Sequence, residues 1–121
     1  MAGNTRERIL EVSLELFAQS GYLGTSMSDI AKQLGITKGA LYKHYRSKLE
    51  ILDRIVERMN EMDYARAAEY EMPETEPDGF AEAYLHTPVG KIRAYSEAQF
   101  DHWTKEPFAA NFRRMLTLEQ Y

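Results

Sequence analysis

Residues 37–48 concentrate the side chains best suited to chemistry with a polyanion. Lys38, Lys43, Arg46 and Lys48 supply four basic groups there, His44 adds a ring donor, and no Asp or Glu interrupts them. Cationic side chains crowded onto a short segment are what neutralisation of phosphates requires. A solvated helix face has the same composition, so charge leaves both readings open. Other chemistries find fewer residues. The chain has 0 Cys, which excludes a disulfide framework, a thiolate metal cage and a cysteine nucleophile. Its histidines are His44, His86 and His102. His102 and Glu106 are four apart, as helical metal ligands would be, but Pro107 follows directly and no further ligand clusters nearby. Glu69, Glu71, Glu74, Glu76 and Asp78 straddle a proline-bearing stretch and read as solvated acids. No phosphate-cradling glycine loop and no nucleophile elbow occurs. The expectation is a protein that is not an enzyme, with no metal and no cofactor.

The elements that must carry the basic segment are helices. The chain has 121 residues, enough for one domain with a real core, and its 44% hydrophobic and 28% charged residues are an ordinary globular balance. Apolar runs reach only three residues, as in Leu16-Phe17-Ala18, far short of the roughly 20 a membrane span needs. No secretory segment opens the chain. A soluble, cytoplasmic protein with no membrane partner is expected. The net charge of −4 hides an asymmetry: residues 1–48 hold seven Lys/Arg against four Asp/Glu, so the remainder is strongly acidic. A basic head on an acidic body suits a nucleic-acid reader with a separate regulatory part.

All four prolines lie beyond residue 72, and no strand alternation or repeat is present, which predicts an all-α fold. The first helix is expected over about 5–20, with Asn4 as cap, Glu7 reaching back to it, and Ile9, Leu10, Ser13, Leu16 and Phe17 on one stripe. Gly21 should end it in the left-handed conformation. The second helix should run over about 27–34, opened by a Ser26/Asp29 capping box and stopped by Gly35. The third begins after Thr37 and ends near Tyr45. The fourth opens with a Ser47/Glu50 box and follows Ile51 or Leu52, Ile55, Val56, Met59 and Met62 to about residue 71. A linker near 72–79 comes next, then a short helix over 80–85. Thr87 should cap, and Pro88 begin, a helix running to about 105, which Pro107 breaks. A last helix, 108 to about 119, should present Phe108, Phe112, Met115 and Leu116 on one side.

Only Gly35-Ile36-Thr37 separates the second and third helices. Gly allows a left-handed turn, Ile36 plugs the angle and Thr37 caps the next helix, which is the pattern of a helix-turn-helix. Its second helix fits the major groove. On that helix Leu41 and Tyr45 should face the core, and Lys38, Tyr42 and Lys43 should face out. Gly39 weakens the helix by about 1 kcal/mol, which close approach of another backbone or of DNA would explain.

Residues 5 to about 60 resemble the DNA-binding domain of the TetR/AcrR family of bacterial transcriptional repressors. The likeness is carried by Arg8-Ile9-Leu10, Leu16-Phe17-Ala18, Gly21-Tyr22, Thr25 with Asp29-Ile30-Ala31, the run from Leu34 through Tyr42, His44-Tyr45 and Ser47-Lys48. Leu49 departs from it, standing where the family usually has an acid.

The resemblance implies a three-helix reading head, residues 1–47, joined through a long fourth helix to a partial helical ligand-binding and dimerisation body, residues 48–121. Thr37, Lys38, Gly39 and Ala40 would open the recognition helix against base edges and nearby phosphates, with Lys43 on its outer side. Tyr42 and His44 would contact the sugar-phosphate backbone, Tyr42 also thymine methyls. Lys48, Thr25 and Ser26 would grip phosphates at helix starts. The competing readings are surface packing for Tyr42 and a satisfied carbonyl for His44. In the body, Met59, Met62, Tyr84, Tyr95, Phe100, Trp103, Phe112 and Met115 are the candidates for a pocket taking an apolar small-molecule effector, though the same residues would make an ordinary core. The partners implied are double-stranded DNA with a palindromic site and a second copy of the chain. Family members usually continue well past 121 residues, so either the chain is truncated or it dimerises otherwise. A truncated interaction protein that pairs with a longer relative, without reading DNA specifically, is the rival reading.

Overall fold

The computed structural model describes residues 4–73 and 80–118, the side chains of Phe80, Ala81 and Tyr84 excepted. Among the described residues the chain is all helix and turn: α1 (Thr5–Ser20), α2 (Met27–Leu34), α3 (Lys38–His44), α4 (Lys48–Glu69), α5 (Phe80–Leu85), α6 (Val89–Lys105) and α7 (Pro107–Leu118). Of the expected linker only Met72 and Pro73 fall within these residues.

Local signals set most of the helix ends. Asn4 accepts from the Arg6 N–H at 3.0 Å and starts α1. Glu7 does not reach back to the cap as expected. Its carboxylate instead takes Arg58 of α4 at 3.0 Å, because a cation on a packed neighbour outcompetes an exposed backbone N–H. At the other end Gly21 has positive φ (81°) but an extended ψ (158°), not the left-handed turn expected. Ser26 and Asp29 form the reciprocal box, each side chain bonded to the other's N–H at 3.0 and 2.9 Å. Ser47 caps α4 through the Glu50 N–H at 3.1 Å, while Glu50 reaches one residue further back, to the Arg46 N–H.

In the second half the proline signals act differently from expectation. Thr87 does not cap α6; its hydroxyl donates to the Ala83 carbonyl, and Pro88 holds the cap position without a side-chain bond. Pro107 begins α7 as its first residue, and Glu106 caps it by accepting from the Ala109 N–H at 2.7 Å. The end of α4 is closed by Glu71 in a left-handed conformation (φ 53°), its carboxylate paired with Lys91 of α6.

One hydrophobic core runs through α1, α2, α3, α4 and α7. Ile9, Leu10, Leu14, Phe17, Ile30, Leu41, Ile51 and Ile55 are wholly removed from solvent, each contributing about 1.5–3 kcal/mol of burial. Leu14 takes the inward place expected of Leu16, which is only partly buried. α7 packs along α1 and adds Phe108, Ala109 and Met115 to this same core. Phe112 is only partly buried and Leu116 is exposed, so the buried stripe of α7 is rotated from the expected one. Likewise Val56 of α4 faces out. On the inner side of α4 Arg66 is buried, paired with Asp63 and donating to Gln99 of α6 at 2.6 Å. That charge-assisted contact is a polar tie between α4 and α6.

Two glycines make a paired prediction. A Cβ on Gly24 would stand 2.2 Å from the Ser20 carbonyl oxygen, whereas one on Gly39 would meet only the Thr37 hydroxyl, at 4.0 Å. Gly24→Ala is therefore expected to destabilise the fold by about 2 kcal/mol or more, and Gly39→Ala to stabilise it by up to about 1 kcal/mol. Thermal melts of the two variants check both signs.

Candidate nucleic-acid interface

The turn between α2 and α3 is built as its residues require. Gly35 adopts the left-handed conformation (φ 72°, ψ 28°), and the Ile36 N–H reaches back to the Ala31 carbonyl at 3.0 Å. Thr37 then opens α3, its hydroxyl oxygen accepting from the Ala40 N–H at 3.0 Å. Leu41 and Tyr45 anchor the helix, 0% and 2% exposed. With that face buried, Thr37, Lys38, Gly39, Tyr42 and Lys43 are turned to solvent, and Ala40 and His44 are half-buried at the edges. The outer face thus carries two ammonium groups and a phenol on a helix with no acid in its first turn and Lys43 and His44 in its last.

Two residues set how α3 sits. The Arg6 guanidinium donates to the His44 carbonyl at 2.7 Å and lies 4.5 Å from the centre of the Tyr45 ring. The Tyr45 hydroxyl donates back to the Arg6 carbonyl at 3.3 Å. This clamp joins the start of α1 to the end of α3. Arg6 thus takes the backbone carbonyl of His44 and leaves the role of its ring open to either reading. Burial raises the Tyr45 hydroxyl above its ordinary range, and Arg6 opposes that. No spacing rule connects Arg6 with residue 44, so the sequence held no signal for the clamp.

The second positioning residue is Lys48, expected as a phosphate grip. Its ammonium donates to the Tyr22 and Thr25 carbonyls at 2.6 and 2.9 Å and lies 4.2 Å from the centre of the Tyr22 ring. Two of its three donors are thereby held inside the protein, stapling the α1–α2 loop to the start of α4. Thr25, also expected at the phosphates, is 3% exposed and donates its hydroxyl to the Gly21 carbonyl at 2.8 Å. Ser26 is exposed, but its oxygen is occupied by the cap of α2. The hydrogen bonds from Ser26 hold the Asp29 carboxyl below its usual range, so the capping box keeps its charge.

Among the described residues, the candidate pocket side chains do not meet around one space. Met59 and Met115 sit in the shared core; Met62, Trp103 and Phe112 pack against it, the two rings 6.2 Å apart. Tyr95 leans on Tyr70 and accepts from Gln99, Phe100 is 67% exposed, and the side chain of Tyr84 lies outside the described residues. His102 lies beside Trp103 with Nε2 buried and unbonded among the described residues, and burial, then Arg66, lowers its pKa below the ordinary imidazole value. Among the described residues no three His, Asp or Glu side chains converge to hold a metal ion, and no helix is long and apolar enough to cross a membrane.

Comparison with known proteins gives consistent results. Residues 9–55 match the family described as "Bacterial regulatory proteins, tetR family". The chain is 45% identical over 56 residues to the HTH-type transcriptional regulator AcrR of Shigella flexneri, covering 46% of this chain and 26% of that protein. The curated relative thus extends far beyond the shared segment. Among solved structures, the chain resembles a transcriptional regulator (TerR/AcrR family) from Aquifex aeolicus VF5, at 32% identity and a TM-score of 0.54, covering 94% of this chain and 66% of that one. A protein solved in work on the control of antibiotic production by bacterial hormones matches with a TM-score of 0.64 at 28% identity, covering 98% and 57%.

Proposed function

Residues 9–55 make this chain a member of the tetR family of bacterial regulatory proteins, and we propose that it is a sequence-specific DNA-binding transcriptional regulator of the repressor type. The observation that carries this reading is the outer face of α3. Lys38, Tyr42 and Lys43 stand exposed together on a helix whose opposite side is locked by Leu41 and Tyr45. A rigid helix with cations and a phenol on its free side is suited to the major groove. Gly39 supports the same reading, since nothing in the protein's own packing requires a missing Cβ there.

In this proposal Thr37, Lys38, Gly39 and Ala40 approach base edges, and Tyr42, Lys43 and His44 the backbone. Ser26 meets a phosphate from the start of α2. Thr25 and Lys48 hold the head's shape, with the remaining donor of Lys48 directed to a phosphate. Residues 1–47 form the reading head and residues 48–121 the body. The active form is a cytoplasmic homodimer on a palindrome, because two heads must reach major grooves one helical turn, about 34 Å, apart. A small apolar effector acts through the body. Since Phe108, Ala109 and Met115 lie in the head's own core, a shift of α7 reaches α1 directly.

The test is mass measurement of the purified chain with and without a pool of genomic DNA fragments, followed by sequencing of retained DNA. A dimer that enriches a short palindrome is the expected result. A monomer that enriches nothing overturns the proposal for this chain and favours pairing with a longer relative.

A further inference from the structure

Arg46 is the basic residue of the 37–48 cluster to which the DNA-reading proposal gives no part. Lys38 and Lys43 lie on the outer face of α3, and Lys48 is turned to the loop carbonyls. Arg6, beside the end of α3, is held by the His44 carbonyl and the Tyr45 ring. Arg46 is exposed, and among the described residues its guanidinium makes no ion pair, hydrogen bond or ring contact.

The backbone turns it outward. Tyr45 follows α3 in an extended conformation (φ −139°, ψ 131°) with its side chain 2% exposed. Successive side chains of an extended chain take opposite sides, so anchoring Tyr45 in the core sends Arg46 to solvent. The position is also held from α4. The Arg46 N–H donates to the Glu50 carboxylate at 3.3 Å, and Ser47 caps the helix. Glu50, the acid nearest in sequence, is thus bonded to the backbone and makes no ion pair with the guanidinium.

Chain connectivity fixes where the guanidinium can act. Arg46 is two residues from His44 and two from Lys48, so its Cα lies within about 7.6 Å of each. Both of those residues stand at the DNA backbone in the proposal above. Lys48, with two donors turned inward, has one left for a phosphate. Arg46 brings a free planar fork of five donors, the geometry that binds phosphate oxygens in pairs. The start of α4 adds its positive dipole end.

Resting on the reading of α3 as the helix that meets DNA, we propose that Arg46 grips a backbone phosphate at the α3–α4 corner. Such a contact sets the head's register on the duplex and carries no sequence information.

The test uses the full chain and two duplexes of about 20 base pairs with unrelated sequences. Binding is read by fluorescence anisotropy between about 0.05 and 0.2 M salt. Arg46→Gln is expected to weaken binding to both duplexes on the order of tenfold. It should also lower the slope of log affinity against log salt by about 0.9. The melting temperature should stay at the wild-type value, since the guanidinium touches nothing in the protein. Arg46→Lys is expected to restore the slope and only part of the affinity, because an ammonium cannot bind two oxygens side by side. Arg93→Gln removes an exposed cation of α6 and is expected to leave the slope unchanged. An unchanged slope in Arg46→Gln, no recovery in Arg46→Lys, or an equal fall in Arg93→Gln overturns the proposal and leaves the reading of α3 standing. A loss confined to one duplex overturns it in favour of base reading, and a lowered melting temperature in favour of a structural role. A wild-type chain that binds neither duplex overturns both this proposal and the reading of α3.

Discussion

Replacing Lys38, Tyr42 and Lys43 together by alanine is expected to weaken operator binding on the order of 100-fold and to leave the melting temperature unchanged. The two halves of the expectation have separate causes. All three side chains are on the exposed face of α3, so truncation removes no core contact, and alanine is a good helix former. Each base or backbone contact of this kind carries about 1–3 kcal/mol, so a total near 3 kcal/mol corresponds to roughly two decades of affinity. The salt dependence should fall as well, by about one unit of slope for each lost lysine–phosphate contact. Anisotropy titrations at several salt concentrations, with melts run in parallel, check both. Unchanged affinity with an intact fold would falsify the assignment of α3 as the reading helix.

Lys48→Met should differ in lowering stability as well as affinity. It removes two charge-assisted hydrogen bonds and leaves the Tyr22 and Thr25 carbonyls without their partner. The methionine keeps the stem's packing, so the loss isolates the ammonium. Because the group is only partly buried, about 2 kcal/mol of stability is expected to go, a drop of roughly 8 °C for a chain of this size. DNA binding weakens too, since the α1–α2 loop and the start of α2 lose their attachment. A phosphate grip alone would lower affinity and leave the melting temperature untouched. Scanning calorimetry of the variant distinguishes the two.

The legible part of this protein is the part governed by local chemistry. Caps such as Asn4, Ser26, Thr37 and Ser47 act within three residues, and each stands where the expected helix begins. Gly35 and Ile36 define the turn, and Leu41 and Tyr45 face the core as their spacing demands. A local signal could lose to a distant competitor or to a second local one. Glu7 left its own cap for Arg58, 51 residues away, and Thr87 bonded back to Ala83 in the preceding turn, leaving Pro88 at the cap.

The order of the helices, the helix-turn-helix and the outward side of α3 follow from residue type and spacing, because they depend on hydrogen bonds and periodicity within a few turns. Other features required the packed structure. Lys48 and Thr25 are turned inward, Arg6 clamps the end of α3, and α7 completes the head's core through Phe108 and Met115. Such contacts join residues tens of positions apart. Which cation meets which carbonyl depends on how helices seat against one another, and that is settled by filling the core, a property of all the side chains at once and not of any segment.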